Sequence, residues 1–131
     1  EQWRPLIHVN DIARAITVVI EAPLDKVKCE IFNVGGNEHN YTINSIGTHI
    51  KQILTESEVI TQDKNIDQRN YKVDFSKIKS VLGFVPSYNL THGITEIAAS
   101  LKEGKYHNYS EEKYYNDRLY SKLLMKNQPS N

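Results

Sequence analysis

The sequence predicts an α/β segment in which several helices pack around short strands. Short apolar runs, Leu6 to Val9 and Cys29 to Val34, are bounded by proline or glycine and fit strands. Longer stretches repeat apolar residues at three- and four-residue spacing from Ile12, Ile43, Ile78 and Leu90, as amphipathic helices do. Polar capping residues open these stretches, and Gly or Pro closes them. At 131 residues, one domain with a working core is the default.

Taken in order, Pro5 biases Arg4 towards extended backbone. The run Leu6–Val9 then leads into a helix capped by Asn10 or Asp11, which buries Ile12, Ala15, Ile16 and Val19. Glu21-Ala22-Pro23 ends it, and Leu24 to Lys28 reads as a surface loop before the Cys29–Val34 strand and its Gly35-Gly36 turn. Thr42 caps a helix over 43–55, with Ile43, Ile46, Ile50, Ile53 and Leu54 on one face. Gly47 weakens that helix by about 1 kcal/mol relative to Ala and permits a close contact. A short strand is expected over Glu58–Thr61, a polar loop to Gln68, and a second extended piece over Arg69–Val73. Asp74 caps a helix carrying Ile78, Val81 and Leu82, stopped by Gly83 with Pro86 beyond. Asn89 opens a longer helix with Leu90, Ile94, Ile97, Ala98 and Leu101 inward, ending at Gly104. From Tyr106 the chain turns polar, with a helix from Ser110 to about Lys126 striped by Leu119, Leu123 and Leu124. The division expected is a body over 1–105 and a polar helical tail over 106–131.

Sixteen basic and sixteen acidic side chains balance. The chain therefore exerts no general pull on nucleic acid or anionic membrane. The single Cys29 excludes an internal disulfide and fits a reducing compartment, so a cytoplasmic location is expected. No apolar run approaches the ~20 residues that span a bilayer. Neither a metal-ligand cluster, a P-loop nor a nucleophile elbow appears.

The run Arg4-Pro5-Leu6-Ile7-His8-Val9-Asn10-Asp11-Ile12-Ala13-Arg14-Ala15 resembles the start of the substrate-binding half of the extended short-chain dehydrogenases/reductases, the NAD-dependent nucleotide-sugar epimerases and dehydratases. Three later stretches agree in order: Ile31-Phe32-Asn33-Val34-Gly35-Gly36; Asp67-Gln68-Arg69-Asn70-Tyr71-Lys72-Val73-Asp74 with Lys77; and Leu82-Gly83-Phe84-Val85-Pro86 followed by Gly93-Ile94. The resemblance spans about 1–105. It implies the C-terminal part of a Rossmann-type extended fold, one strand and helix belonging to a nucleotide-binding sheet that is missing here. Glu1 opens the chain without a methionine, and the first motif belongs to the middle of the family's sequence. The expectation is thus a C-terminal portion of a longer protein.

Arg4 and Arg69 are the foremost candidates, because planar guanidinium forks grip phosphate oxygens bidentately and a nucleotide sugar presents a diphosphate. The resemblance implies that the two arginines reach that diphosphate from opposite sides. One departure is Pro5, where many members carry Asp. Tyr71 either lines the pocket or packs as a buried tyrosine. Asn33, with Gly35 and Gly36, either lets a loop approach the ligand or serves as turn chemistry. His8 is either a general base or a packed ring whose nitrogens are met by backbone. Tyr109 and Lys113 match the family's catalytic Tyr-x-x-x-Lys, but they follow the motifs that this pair precedes in the family, so they read as a coincidence. With no Gly-x-x-Gly-x-x-Gly turn, NAD is expected on the missing N-terminal portion and no catalytic residue in this chain. The enzyme reading is a nucleotide-sugar-binding half, inactive alone, whose partners are a nucleoside-diphosphate sugar and either the missing portion or a second copy. The other reading is a non-catalytic binding or assembly module that keeps the fold.

Overall fold

In a computed structural model of the chain, residues 2–61, 69–106 and 108–115 are described. The polar loop before Gln68 and the leucine stripe of the tail lie outside them. Among the described residues the chain is mostly helical, with two short strands. It divides into two compact units, Glu1–Glu96 and Ile97–Asn131.

Strand β1 (Trp3–Pro5) runs antiparallel to β2 (Asn40–Thr42), pairing Trp3 with Thr42, Arg4 with Tyr41 and Pro5 with Asn40. Main-chain bonds from Leu6 to the His39 carbonyl and from Ile43 to the Gln2 carbonyl extend the ladder past both ends. The strand thus ends at Pro5, rather than running over Leu6–Val9 as the apolar pattern suggests.

Helix α1 (Val9–Glu21) follows at once. Its cap is neither Asn10 nor Asp11: the His8 ring accepts the Asn10 amide, and Asp11 sits inside the first turn. The buried residues of α1 are Asp11 and Ala15, with Val18 and Val19 half-buried, whereas Ile12, expected inward, is 40 % exposed and Ile16 55 %. With Val9 and Ile20 they form an apolar stripe facing solvent. Leu24–Val27 is a one-turn helix, α2, rather than a loop, and Cys29 after it takes a left-handed φ of 60°.

Residues 29–34 form no strand. Among the described residues the amides of Phe32, Asn33 and Val34 meet no main-chain partner, and a strand exists only through its ladder. Their side chains still alternate as in a strand, Phe32 and Val34 packing on the core while Ile31 is exposed. A turn of 3-10 helix (Asn37–His39) leads into β2.

Helix α3 (Ile43–Ile53) is capped by Thr42, whose hydroxyl accepts the Ser45 amide at 3.0 Å. Ile46, Ile50 and Ile53 are half-buried, but Ile43 and Leu54 are exposed. A Cβ on Gly47 would lie 3.3 Å from Val59, the close approach its small size suggests. The exposed stretch 58–61 reaches Gly47 through Val59 and forms no strand.

Residues 69–73 form no strand either, and side-chain amides bind them instead. Asn40 gives its Nδ2 to the Val73 carbonyl at 2.9 Å and takes the Val73 amide on Oδ1 at 2.9 Å, imitating a backbone pair. Helix α4 (Ser76–Leu82) begins where Asp74 accepts the Ser76 amide and ends on left-handed Gly83. Ile78 is fully buried and, with Ala15 and Phe84, makes the core.

Helix α5 (Leu90–Lys102) opens with Asn89 accepting the His92 amide at 2.9 Å. Ile94 and Ala98 are half-buried, but Ile97 and Leu101, expected inward, are exposed. In the second unit, Gly104 turns the chain at φ 72°, and a 3-10 turn (Glu112–Tyr114) stands where the described start of the expected tail helix would be.

Candidate functional site

The candidate site forms where β1 meets residues 69–72. Arg4 stands half-buried on β1, and its Nη1 donates to the Trp3 carbonyl at 2.7 Å and to the Arg69 carbonyl at 2.6 Å. Its guanidinium carbon lies 5.6 Å from the centre of the Tyr71 ring. Gln2 also donates to the Arg69 carbonyl, and the Trp3 amide donates to Asn70 Oδ1 at 3.0 Å. Lys72 covers the Trp3 ring, its Nζ 3.6 Å from the centroid. The chain thus brings together the Arg4 head group, the Arg69 main chain and the Tyr71 ring, although 65 positions separate the two arginines. Tyr71 is 46 % exposed and therefore not the buried sheet-packing tyrosine of the alternative reading. Arg4, Arg69 and Lys72 fall along one short seam, which Arg69 joins through its main-chain carbonyl.

Asn33 is engaged elsewhere: its amide donates to the Asp74 carbonyl at 3.2 Å. Gly35 has a packing reason for being glycine, since a Cβ there would fall 2.5 Å from the Phe75 ring. The glycine pair therefore admits a core phenylalanine. A shallow groove runs beside it, lined among others by Gly36, Glu38, Ser76, Lys79 and Pro86. Asn37 braces its wall, accepting the Phe75 amide and donating to the Ser76 hydroxyl.

Asp11 is fully buried. Its carboxylate accepts the Ser87 amide on both oxygens, at 2.9 and 3.1 Å, and the Tyr88 amide at 3.0 Å, and it pairs with Arg14. Burial pushes the carboxyl up, but the Ser87 and Tyr88 amides and the Arg14 guanidinium outweigh it and hold it below the ordinary value. The sequence pattern suggests a helix cap for Asp11. The partners lie 76 and 77 positions away, and no local signal marks so distant a contact.

His8 is held on both sides. Nδ1 accepts the Asn10 amide at 3.2 Å, and Nε2 meets Glu96 Oε2 at 2.8 Å. Tyr88 stacks on the ring at 4.4 Å between centroids, and His92 stands edge-on to it at 5.8 Å. Backbone thus satisfies only one of the ring nitrogens, and the fold employs both.

Tyr109 and Lys113 lie on a turn and a 3-10 helix, not on one face of an α-helix. Lys113 pairs with Glu111 at 2.6 Å, and the hydrogen bond to Glu111 raises its titration. Its charge sits over Tyr114 rather than Tyr109. Among the described residues no three His, Cys, Asp or Glu side chains are arranged to hold a metal ion, and no helix is long and apolar enough to cross a membrane.

The sequence model of the NAD dependent epimerase/dehydratase family matches residues 1–35. That stretch holds β1, α1, α2 and the unpaired extended segment, and includes Arg4 and Asn33 but neither Arg69 nor Tyr71. The family is enzymatic and uses NAD. No curated protein matches the chain.

Proposed function

We propose that the chain holds the diphosphate of a nucleoside-diphosphate sugar, as the nucleotide-sugar-binding part of an NAD-dependent epimerase or dehydratase. The observation that supports this reading is the seam that joins Arg4, which lies within the family match, to Tyr71 and the main chain of Arg69, which lie outside it. Arg4 and Arg69 supply guanidinium forks for the phosphate oxygens, and Lys72 adds a point charge beside them. Tyr71 offers a partly exposed ring that keeps Arg4 in place. Holding the diphosphate fixes where the sugar lies, which is the contribution of such a part to catalysis. Asn33 takes a bracing role in this reading.

The described residues do not fit a dinucleotide. The one glycine pair, Gly35-Gly36, packs against Phe75 and Glu38, leaving no cradle for a pyrophosphate. In this reading the glycine pair takes no part in NAD binding, and the isolated chain with a nucleoside-diphosphate sugar and NAD should give no 4-keto product.

Calorimetry of the chain with UDP, GDP and dTDP tests the proposal. Arg4→Ala and Arg69→Ala should each weaken binding by about 10- to 150-fold, the cost of ~1.5–3 kcal/mol for a lost charged partner. Arg4→Lys, which keeps the charge but not the fork, should fall between. Unchanged affinity in the alanine variants overturns the assignment. A chain that binds no diphosphate yet sediments as a stable dimer would favour the assembly-module reading, to which the exposed α1 stripe of Val9, Ile12, Ile16 and Ile20 lends support.

A further inference from the structure

The cluster of His8, Tyr88, His92 and Glu96 has no part in diphosphate binding. The Asn10 main-chain N–H can only donate, so Nδ1 of His8 must carry a lone pair towards it. A carboxylate accepts, so Nε2 must carry the proton towards Glu96. Both contacts are met only by the neutral ring protonated on Nε2. Histidine is an unusual cap; the common capping residues do not titrate near neutrality.

We infer that His8 is an acid-sensitive latch which, while neutral, caps α1 and ties its first turn to α5, and which releases the cap when protonated. A proton on Nδ1 points at the Asn10 N–H, donor against donor, and puts a positive charge at a helix N-terminus. The protonated ring keeps Glu96 through Nε2, so the tie to α5 survives while the cap is lost. The groups facing the ring are few. From α5 come Glu96 at 2.8 Å and His92, whose Nε2 lies 4.0 Å from the same Glu96 oxygen. Tyr88 covers one face of the ring. From α1 comes the Asn10 amide, while the nearby Asp11 carboxylate is taken up by Ser87, Tyr88 and Arg14. The ring is nearly enclosed, its side chain 11 % exposed, so a swing away from the cap must disturb the Tyr88 stack.

Nitrogen-15 NMR of the full chain between pH 8 and pH 5 tests the latch. At pH 8 the His8 ring should show the single Nε2–H tautomer. On acidification the Asn10 amide should shift with the same midpoint as the His8 ring, and its exchange protection, corrected for intrinsic rate, should fall about fivefold. His8→Asn caps without titrating, so Asn10 should stay protected throughout; His92→Gln should leave the Asn10 transition in place. An Asn10 amide that does not respond while His8 titrates overturns the latch. So does a transition that persists in His8→Asn or vanishes in His92→Gln.

Discussion

Asp11 shows how a single side chain can serve a purpose its sequence neighbourhood conceals. Beside Asn10 at the start of a helical pattern it looks like a cap, yet it crosses the fold to hold two amides of the turn before α5. Replacing it with Asn leaves those buried donors poorly met and should cost about 1–3 kcal/mol, read from urea melts. Arg14→Ala should cost under about 1 kcal/mol, because Arg14 is half in solvent and its charge is screened. The lowered titration of Asp11 adds a pH signature. Its stabilisation is present above the ordinary carboxyl range and is lost as pH falls through the lowered folded value. Stability should therefore decline with acid from about pH 5 downward, and Asp11→Asn should flatten that slope. Exposed Asp74, held low by the Ser76 hydroxyl and amide, contributes in the same direction.

Three helix boundaries were legible because their signals are local, whereas the His8 cap of α1 and the one-turn helix α2 were not. Thr42, Asn89 and Gly83 act within one turn of themselves, and the structure uses all three as the sequence suggests. Gly83 gives the test at this scale. Its φ is 66°, and a Cβ would meet nothing within 4 Å, so only backbone strain opposes a side chain there. Gly83→Ala should cost about 1–2 kcal/mol, and Gly83→Asn less, in the same melts. Strands were not legible, since a strand depends on a partner that its own residues do not name. Asn40–Thr42 pairs although it has little apolar pattern, and Cys29–Val34 has the pattern but no described partner. Which helix face is covered was equally hidden. Helix α1 is apolar on two sides, and the sequence favoured Ile12 and Ile16 over Val18, which packs on the core.

For the molecule as a whole, side-chain contacts join parts that lie far apart in the sequence. Lys77 ties Glu30 and the Ile31 carbonyl, Asn40 ties Val73, and Arg4 ties Arg69. Such joints place the cationic seam of Arg4, Arg69 and Lys72 at the meeting of β1 and the 69–72 segment, and the proposed diphosphate site depends on that meeting. The contact of Arg4 with the Arg69 carbonyl was not legible in the sequence, because main-chain contacts leave no residue-type mark. The most direct measurement follows the arginine side-chain Nε–H resonances while a nucleoside diphosphate is added. The account predicts that Arg4 and Arg69 shift together and saturate at one concentration, while Arg14, held by Asp11, stays in place. Saturating shifts confined to other residues, or none from Arg4 and Arg69 at millimolar diphosphate, would contradict it.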